Sequence, residues 1–150
     1  MSKNKAYKLF EQVLKSIETV GIDKTIETLK ITETKLLESN QIITEFIIKS
    51  VCECFGVPMK SIKSNRKGMS DVKTRNALKL CSHLIYTHTD YSQREIQYKI
   101  KLDHSQVSRY INEIPNLDIN FEKDNYLKSK LDLIENEIVD FKTKILENNE

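Results

Sequence analysis

The apolar residues near both ends of this 150-residue chain recur at alternating steps of four and three. Near the C-terminus the series is Leu127, Leu131, Ile134, Ile138, Phe141 and Ile145, and near the N-terminus it is Ala6, Phe10, Val13, Ile17 and Val20. This spacing is typical of one helix face and of a coiled-coil seam. Because the chain has only three Gly and two Pro, it has few turns for a β-rich fold. The sequence predicts an all-α helical bundle whose flanking helices are amphipathic, the last one resembling a coiled coil.

Three segments are predicted: an N-terminal helical arm (residues 1–39), a central domain (40–115) and a C-terminal amphipathic helix (116–150). In the arm, the β-branched stretch "ITET" predicts a helix break near Thr32. A new helix is expected to start at a cap on Ser39 or Asn40. It should end at Gly56, with Pro58 preventing continuation.

Within the central domain, "PMKSI" is predicted to form a short helical turn, and "KSNRKGMS" (residues 63–70) an exposed basic loop. Ser70 is expected to cap the helix that follows, with Asp71 in its first turn. The predicted core positions of this domain are Ile43, Phe46, Ile47, Val51, Ile62, Val72, Ala77, Leu80, Leu84, Ile85, Val107, Tyr110, Ile111 and Ile114.

The formal net charge of +2 conceals a strong asymmetry along the chain. Residues 1–39 carry seven Lys against six acids, residues 40–114 twelve Lys and Arg against seven acids, and residues 115–150 five Lys against nine acids. The net charges are therefore +1, +5 and −4. A basic centre between a neutral arm and an acidic tail favours a polyanion as the partner of the centre, although an ordinary solvated surface explains the charge equally well.

Several classes of protein are disfavoured. Cys52, Cys54 and Cys81 are too few and too poorly spaced on helices for a zinc site, so reduced, buried structural thiols are expected. No apolar run approaches the roughly 20 residues that span a bilayer, and "MSKNKAYKLF" lacks the apolar core of a signal peptide. A cytoplasmic protein is therefore expected. An enzyme is also disfavoured, because Asp103 and His104 are adjacent at a helix start and no nucleophile or metal set converges on them. No metal, other cofactor or small-molecule substrate is expected.

Residues 92–114 have the pattern of two short capped helices joined by about four residues, which is that of a helix-turn-helix. Ser92 and Glu95 form an S-x-x-E capping box, and Asp103 is a good N-cap with Gln106 three residues later. In such a motif the second helix enters the major groove of DNA, and its N-terminal residues meet base edges. Ser108 and Arg109 are expected on the outward side of its next turn.

The chain also resembles a known family over residues 42–114. The order of elements is a helix, a short helical turn, a basic loop, a longer helix starting near "VKTRNA" and a helix-turn-helix whose second helix opens with Asp103-His104-Ser105-Gln106-Val107. This order and these residues resemble the C-terminal DNA-binding domain of the bacterial replication initiator DnaA. The resemblance implies a sequence-preferring double-stranded DNA-binding protein that regulates replication or transcription.

The roles implied by the resemblance fall into two groups. Base contacts would come from Asp103, His104, Ser105 and Gln106, to which the helix-turn-helix pattern itself adds Arg109. Contacts to the DNA backbone or minor groove would come from Lys63, Arg66, Lys67, Lys73, Arg75, Ser92, Gln93 and Arg94, with Ser108 added from the pattern.

The chain departs from the family in three places. Gln106 replaces the usual Thr, and the turn "KIKL" lacks the Gly that usually precedes Asp-His. The basic loop also has fewer cations, with Gly68 and Met69 at positions where the family often has them. There is no G-x-x-x-x-G-K-[ST] motif, so no ATPase is expected. The chain is similar to a stand-alone DNA-reading module of the initiator, with different flanks.

The alternatives are another kind of helix-turn-helix protein, such as a repressor or transposase module, a helical protein–protein interaction module, and, ranked last, an enzyme. The apolar stripes permit a homodimer through residues 121–148 and 6–20. Such a dimer would carry two DNA-binding domains, and binding by both would multiply the modest affinity of one. For the C-terminal stripe, a helix docked on its own domain is an equal alternative.

Overall fold

The computed structural model describes residues 3–64 and 71–148. In that part of the chain all regular structure is helical, which confirms the all-α prediction. The α-helices are α1 (Lys3–Val20), α2 (Ile22–Phe55), α3 (Met59–Lys63), α4 (Val72–His88), α5 (Gln93–Ile100), α6 (His104–Glu113) and α7 (Glu122–Asn148), with a 3-10 turn at Ile114–Asn116.

The predicted break near Thr32 and the predicted cap at Ser39 or Asn40 are both wrong, because α2 runs unbroken through them. No Gly or Pro lies between residues 22 and 55. The hydroxyl of Thr32 donates to the carbonyl of Thr28 at 2.9 Å, so this threonine is satisfied inside the helix. Asn40 is buried, and its Oδ1 accepts from the backbone N–H of Asp90 at 3.4 Å.

The other helix ends follow local capping chemistry. Gly56 adopts φ +67° after α2, and the N–H of Val57 bonds back to the carbonyl of Cys52 at 3.0 Å, as at many glycine-ended helices. The cap of α4 is Asp71, whose carboxylate accepts from the N–H of Thr74 at 2.8 Å. The prediction had placed Asp71 inside the first turn and the cap on Ser70, which lies outside the described residues.

The chain comprises two compact units, residues 1–39 (unit 1) and 40–150 (unit 2). Unit 2 contains one continuous core built from α3 to α7 and residues 40–55 of α2. All predicted core positions are buried there except two. Phe46 is half-buried, and Val72 is 65% exposed because it is the first residue of α4, next to the cap.

The C-terminal stripe is buried within the chain itself. Leu127, Leu131, Ile134 and Ile138 belong to the core of unit 2. The ring of Phe141 stacks on that of Phe46, with centroids 3.9 Å apart and planes 3° from parallel. Of the two alternatives for this stripe, the docked helix is therefore the one that the structure has.

Unit 1 consists of α1 and residues 22–39 of α2, joined at Gly21. This glycine has φ +89°, and the hydroxyls of Ser16 and Thr25 meet across the junction at 3.1 Å. Thr25 is the only buried residue among residues 5–39. The large apolar side chains of this unit are thus mostly exposed.

Candidate nucleic-acid interface

Helix α6 is held firmly by one face. Val107, Tyr110 and Ile111 are buried, and the helix packs against α4 and α5. The ammonium of Lys79 on α4 also pairs with the carboxylate of Glu113 at 2.6 Å, which fixes the C-terminal end of α6. A short helix anchored in this way presents its opposite face in a defined orientation.

The first turn of α6 uses part of its polar chemistry for its own cap. Oδ1 of Asp103 accepts from the N–H of Gln106 at 2.9 Å and from the hydroxyl of Ser105 at 2.6 Å. These two bonds, that of Ser105 foremost, lower the pKa of the Asp103 carboxyl, and the positive charge of Arg109 adds to the effect. The cap at Asp103 is as predicted, and the Ser105 hydroxyl adds a second bond to the same carboxylate.

The remaining predicted base-contacting side chains, those of His104, Gln106 and Arg109, lie outside the buried face of α6. His104 and Arg109 are exposed and Gln106 is half-buried. Ser105 and Arg109 are four residues apart, so they share one face of the helix. The guanidinium of Arg109 lies 5.2 Å from the ring centroid of Tyr110, and Ser108 beside it is half-buried. The accessible surface of α6 thus includes a guanidinium, an imidazole and an amide, which are groups that can bond to base edges.

The turn before α6 contains an unusual backbone conformation. Lys101 is the only described non-glycine residue with positive φ (53°), and it occupies the C-cap of α5. The N–H of Leu102 then bonds to the carbonyl of Gln97 at 3.3 Å, and Leu102 is buried. The left-handed conformation costs a lysine roughly 1–2 kcal/mol. The sequence "KIKL" therefore lacks a glycine at the position where the backbone conformation favours one.

The predicted contacts on α5 are partly used for capping. The hydroxyl of Ser92 accepts from the N–H of Glu95 at 3.3 Å, and the Glu95 carboxylate accepts from the N–H of Ser92 at 2.7 Å. The predicted capping box is therefore confirmed. Gln93 is half-buried and Arg94 exposed at the start of the same helix.

The cations at the start of α4 share their surroundings with an acid. Lys73 is exposed and Arg75 half-buried. Both contribute to lowering the pKa of Asp71, although the hydrogen bonds from Thr74 are the larger cause. The predicted minor-groove residue Arg66 and its neighbour Lys67 lie outside the described residues.

Lys63 at the end of α3 is paired within the protein. Its ammonium lies 2.6 and 2.7 Å from the two carboxylate oxygens of Glu45. The pair lies in a cleft of about 270 Å³ whose lining also includes Lys99 and Lys101. The ammonium of Lys99 lies 4.3 Å from the ring centroid of Tyr91.

Lys99 and Lys101 were not predicted as site residues. Both contribute to the positive charge of the centre, but nothing in their spacing indicates that a cleft brings them together with Lys63 of α3. The one available signal was their position shortly before Asp103, four and two residues earlier.

The comparisons with known proteins give no assignment: no family model, no curated protein and no solved structure matches the chain. Among the described residues, no helix is long and apolar enough to cross a membrane. The same part of the chain contains no group of three or more His, Cys, Asp or Glu side chains suited to a metal ion. Of the cysteines, Cys52 and Cys81 are buried and Cys54 is half-buried.

Proposed function

We propose that unit 2 binds double-stranded DNA with a sequence preference, as a stand-alone module similar to the DNA-binding domain of the DnaA initiator, and that it regulates replication or transcription. The observation that carries the proposal is α6, a short helix with one side in the core and with the side chains of His104, Gln106 and Arg109 at least partly exposed. It follows α5 after a three-residue turn. This is the element order of a helix-turn-helix, in which the second helix reads the major groove.

The internal hydrogen bonds suggest how the roles divide. The Asp103 carboxylate and the Ser105 hydroxyl are engaged in the cap, so their main task is to set the direction of α6. Base reading then rests on His104, Gln106 and Arg109. Gln pairs well with adenine and Arg with guanine, and each such pair discriminates by about 1–3 kcal/mol.

Affinity that is independent of sequence comes from cations around this helix. Lys73, Arg75 and Arg94 are the described candidates from the sequence, and the lysines of the cleft add to them. Lys63 is already neutralised by Glu45, so its contribution is smaller than the sequence suggested. Each phosphate that is neutralised should steepen the fall of the logarithm of the binding constant with the logarithm of the salt concentration by about 0.9.

The test is fluorescence anisotropy with an initiator-type box and a scrambled duplex, each at two salt concentrations. Arg109→Ala and Gln106→Ala should reduce the difference between the duplexes more than the overall affinity. Lys73→Ala should weaken both duplexes alike and lower the salt slope by about 1. Lys144→Ala, an exposed lysine in the acidic tail, is the matched control and should change neither.

The same assay separates the alternatives. Equal, salt-sensitive binding to both duplexes keeps DNA binding but removes the initiator-type target. Absence of binding at low salt contradicts the proposal. It would favour a helical protein–protein interaction module, the second candidate function, which is supported by the exposed apolar side chains of unit 1.

A further inference from the structure

Unit 1 exposes far more apolar surface than its size requires. On α1 the exposed side chains include Tyr7, Phe10 and Leu14, and on residues 22–39 of α2 they include Ile22, Ile26, Leu29, Leu36 and Leu37. Each is between 45 and 65% exposed. Exposed apolar residues that occur singly are ordinary, but eight large ones in a unit of two helices mark an interaction site.

These side chains form one face on each helix. Tyr7, Phe10 and Leu14 are separated by three and four residues, so they line one side of α1. On α2, Ile22, Ile26 and Leu29 follow the same steps, and Leu36 lies two turns further along the same side. Ile31 is equally exposed at 51%, but its position in the helical repeat puts it on the opposite side of α2.

We infer that a second copy of this chain covers these faces, so that unit 1 is the self-association surface of the protein. The area is sufficient: eight half-exposed side chains offer roughly 80 Å² each, so two copies can bury about 1,300 Å². Specific protein interfaces bury about 1,200–2,000 Å². Two helices that bury little inside their own chain gain most of their stability from such a contact.

Charge also favours a copy over a polyanion. Residues 1–39 carry seven Lys and six acids, so two copies of the unit do not repel each other strongly. A nucleic acid or an anionic lipid surface would instead select an excess of cations. The other candidate seam, on α7, is already occupied by the core of unit 2, which leaves unit 1 as the dimer contact.

The inference does not depend on DNA binding. If both hold, each particle presents two copies of unit 2, and binding of the first raises the effective concentration of the second. The association is measured without DNA, so its failure and that of the proposed function are separate results.

The experiment is sedimentation velocity of the full chain from about 1 to about 100 µM, a range that reports micromolar dissociation constants. The wild type should sediment at twice the mass of one chain. Phe10→Glu and Leu29→Glu should each raise the dissociation constant at least about tenfold. Ile31→Glu, the matched control, should sediment as the wild type does.

Three results would overturn the inference. They are a wild type that stays at the mass of one chain throughout, a dimer that neither Phe10→Glu nor Leu29→Glu weakens, and an Ile31→Glu variant that is as disruptive as the other two. All variants change exposed residues. Near-ultraviolet circular dichroism of the tyrosines in unit 2 verifies that unit 2 remains folded in each variant.

Discussion

The two apolar stripes of this chain have the same period but are buried to different extents. The stripe of α7 is buried from Leu127 to Ile138, whereas in that of α1 Val13 and Ile17 are half-buried and Phe10 and Val20 are 62% and 48% exposed. Spacing thus defines which side of a helix is apolar, but not what covers it. An apolar helix face is buried either by segments of the same chain that are distant in sequence or by another chain.

The reason for the difference is the number of helices available to each stripe. In unit 2, α7 shares a core with α4, α5, α6 and residues 40–55 of α2, and Phe141 finds Phe46 far away in the sequence. Unit 1 has two helices joined at a single glycine. Two helices alone bury too little surface to be stable, so their faces need a further partner.

The largest expected effect contrasts a leucine from each unit. Leu84→Ala opens a cavity at a fully buried position and should lower the free energy of unfolding of unit 2 by about 2–5 kcal/mol. Leu29→Ala, at a position 47% exposed, should change it by less than about 0.5 kcal/mol. Five of the six tyrosines lie in unit 2, so denaturant unfolding followed by their near-ultraviolet circular dichroism measures both variants. Equal losses would mean that the units are not distinct in stability.

A smaller effect tests the docking of α7 directly. A double-mutant cycle of Phe46→Ala and Phe141→Ala should give a coupling energy of about 0.5–1.5 kcal/mol, as expected for an aromatic pair. The matched control pairs Phe46→Ala with Ile145→Ala, one turn beyond Phe141 on the same stripe. A coupling near zero between Phe46 and Phe141 would show that the end of α7 is not held against α2.

What the sequence predicted correctly was local. The capping box of Ser92 and Glu95, the cap at Asp103 and the stop at Gly56 were all read from residues within one turn of the feature that they control. The break near Thr32 failed because β-branching is a weak preference, and the hydroxyl of Thr32 is satisfied by the helix itself. The prediction that Val72 is buried failed because periodicity does not identify the first turn of a helix, which here extends beyond the core.

What the sequence could not supply was tertiary. Nothing near Lys63 in the chain indicates its pairing with Glu45, 18 residues earlier, which neutralises one of the predicted DNA-binding cations. The cleft containing Lys99 and Lys101 likewise requires α2, α3 and α5 to be assembled.

The strained turn offers a change in the stabilising direction. Lys101→Gly should raise the free energy of unfolding of unit 2 by about 1 kcal/mol, because glycine accepts positive φ without a steric penalty. Lys99→Gly, in the last turn of α5, is the contrasting variant and should destabilise by about 1 kcal/mol. In the anisotropy assay, Lys101→Gly should also weaken binding to both duplexes if this lysine contacts phosphate. A gain in stability without loss of DNA affinity would limit Lys101 to a structural role.

The smallest expected effect is a pH dependence confined to unit 2. His83 is half-buried, and its Nδ1 has no hydrogen-bond partner among the described residues. Burial lowers its pKa, with His88 and Lys128 adding to the effect and Glu135 opposing it.

Since the folded state then binds its proton less readily than the unfolded state, stability should fall as the pH drops below about 6.5, the ordinary histidine value. The loss should level off once the pH passes the lower pKa of the folded state. His83→Leu removes this titrating imidazole and should flatten the curve below about pH 6.5. The lowered pKa values of Asp71 and Asp103 act in a separate, more acidic window, where their caps are lost as the pH falls through the folded values. A His83→Leu variant that retains the wild-type slope just below about pH 6.5 would assign that slope to another group.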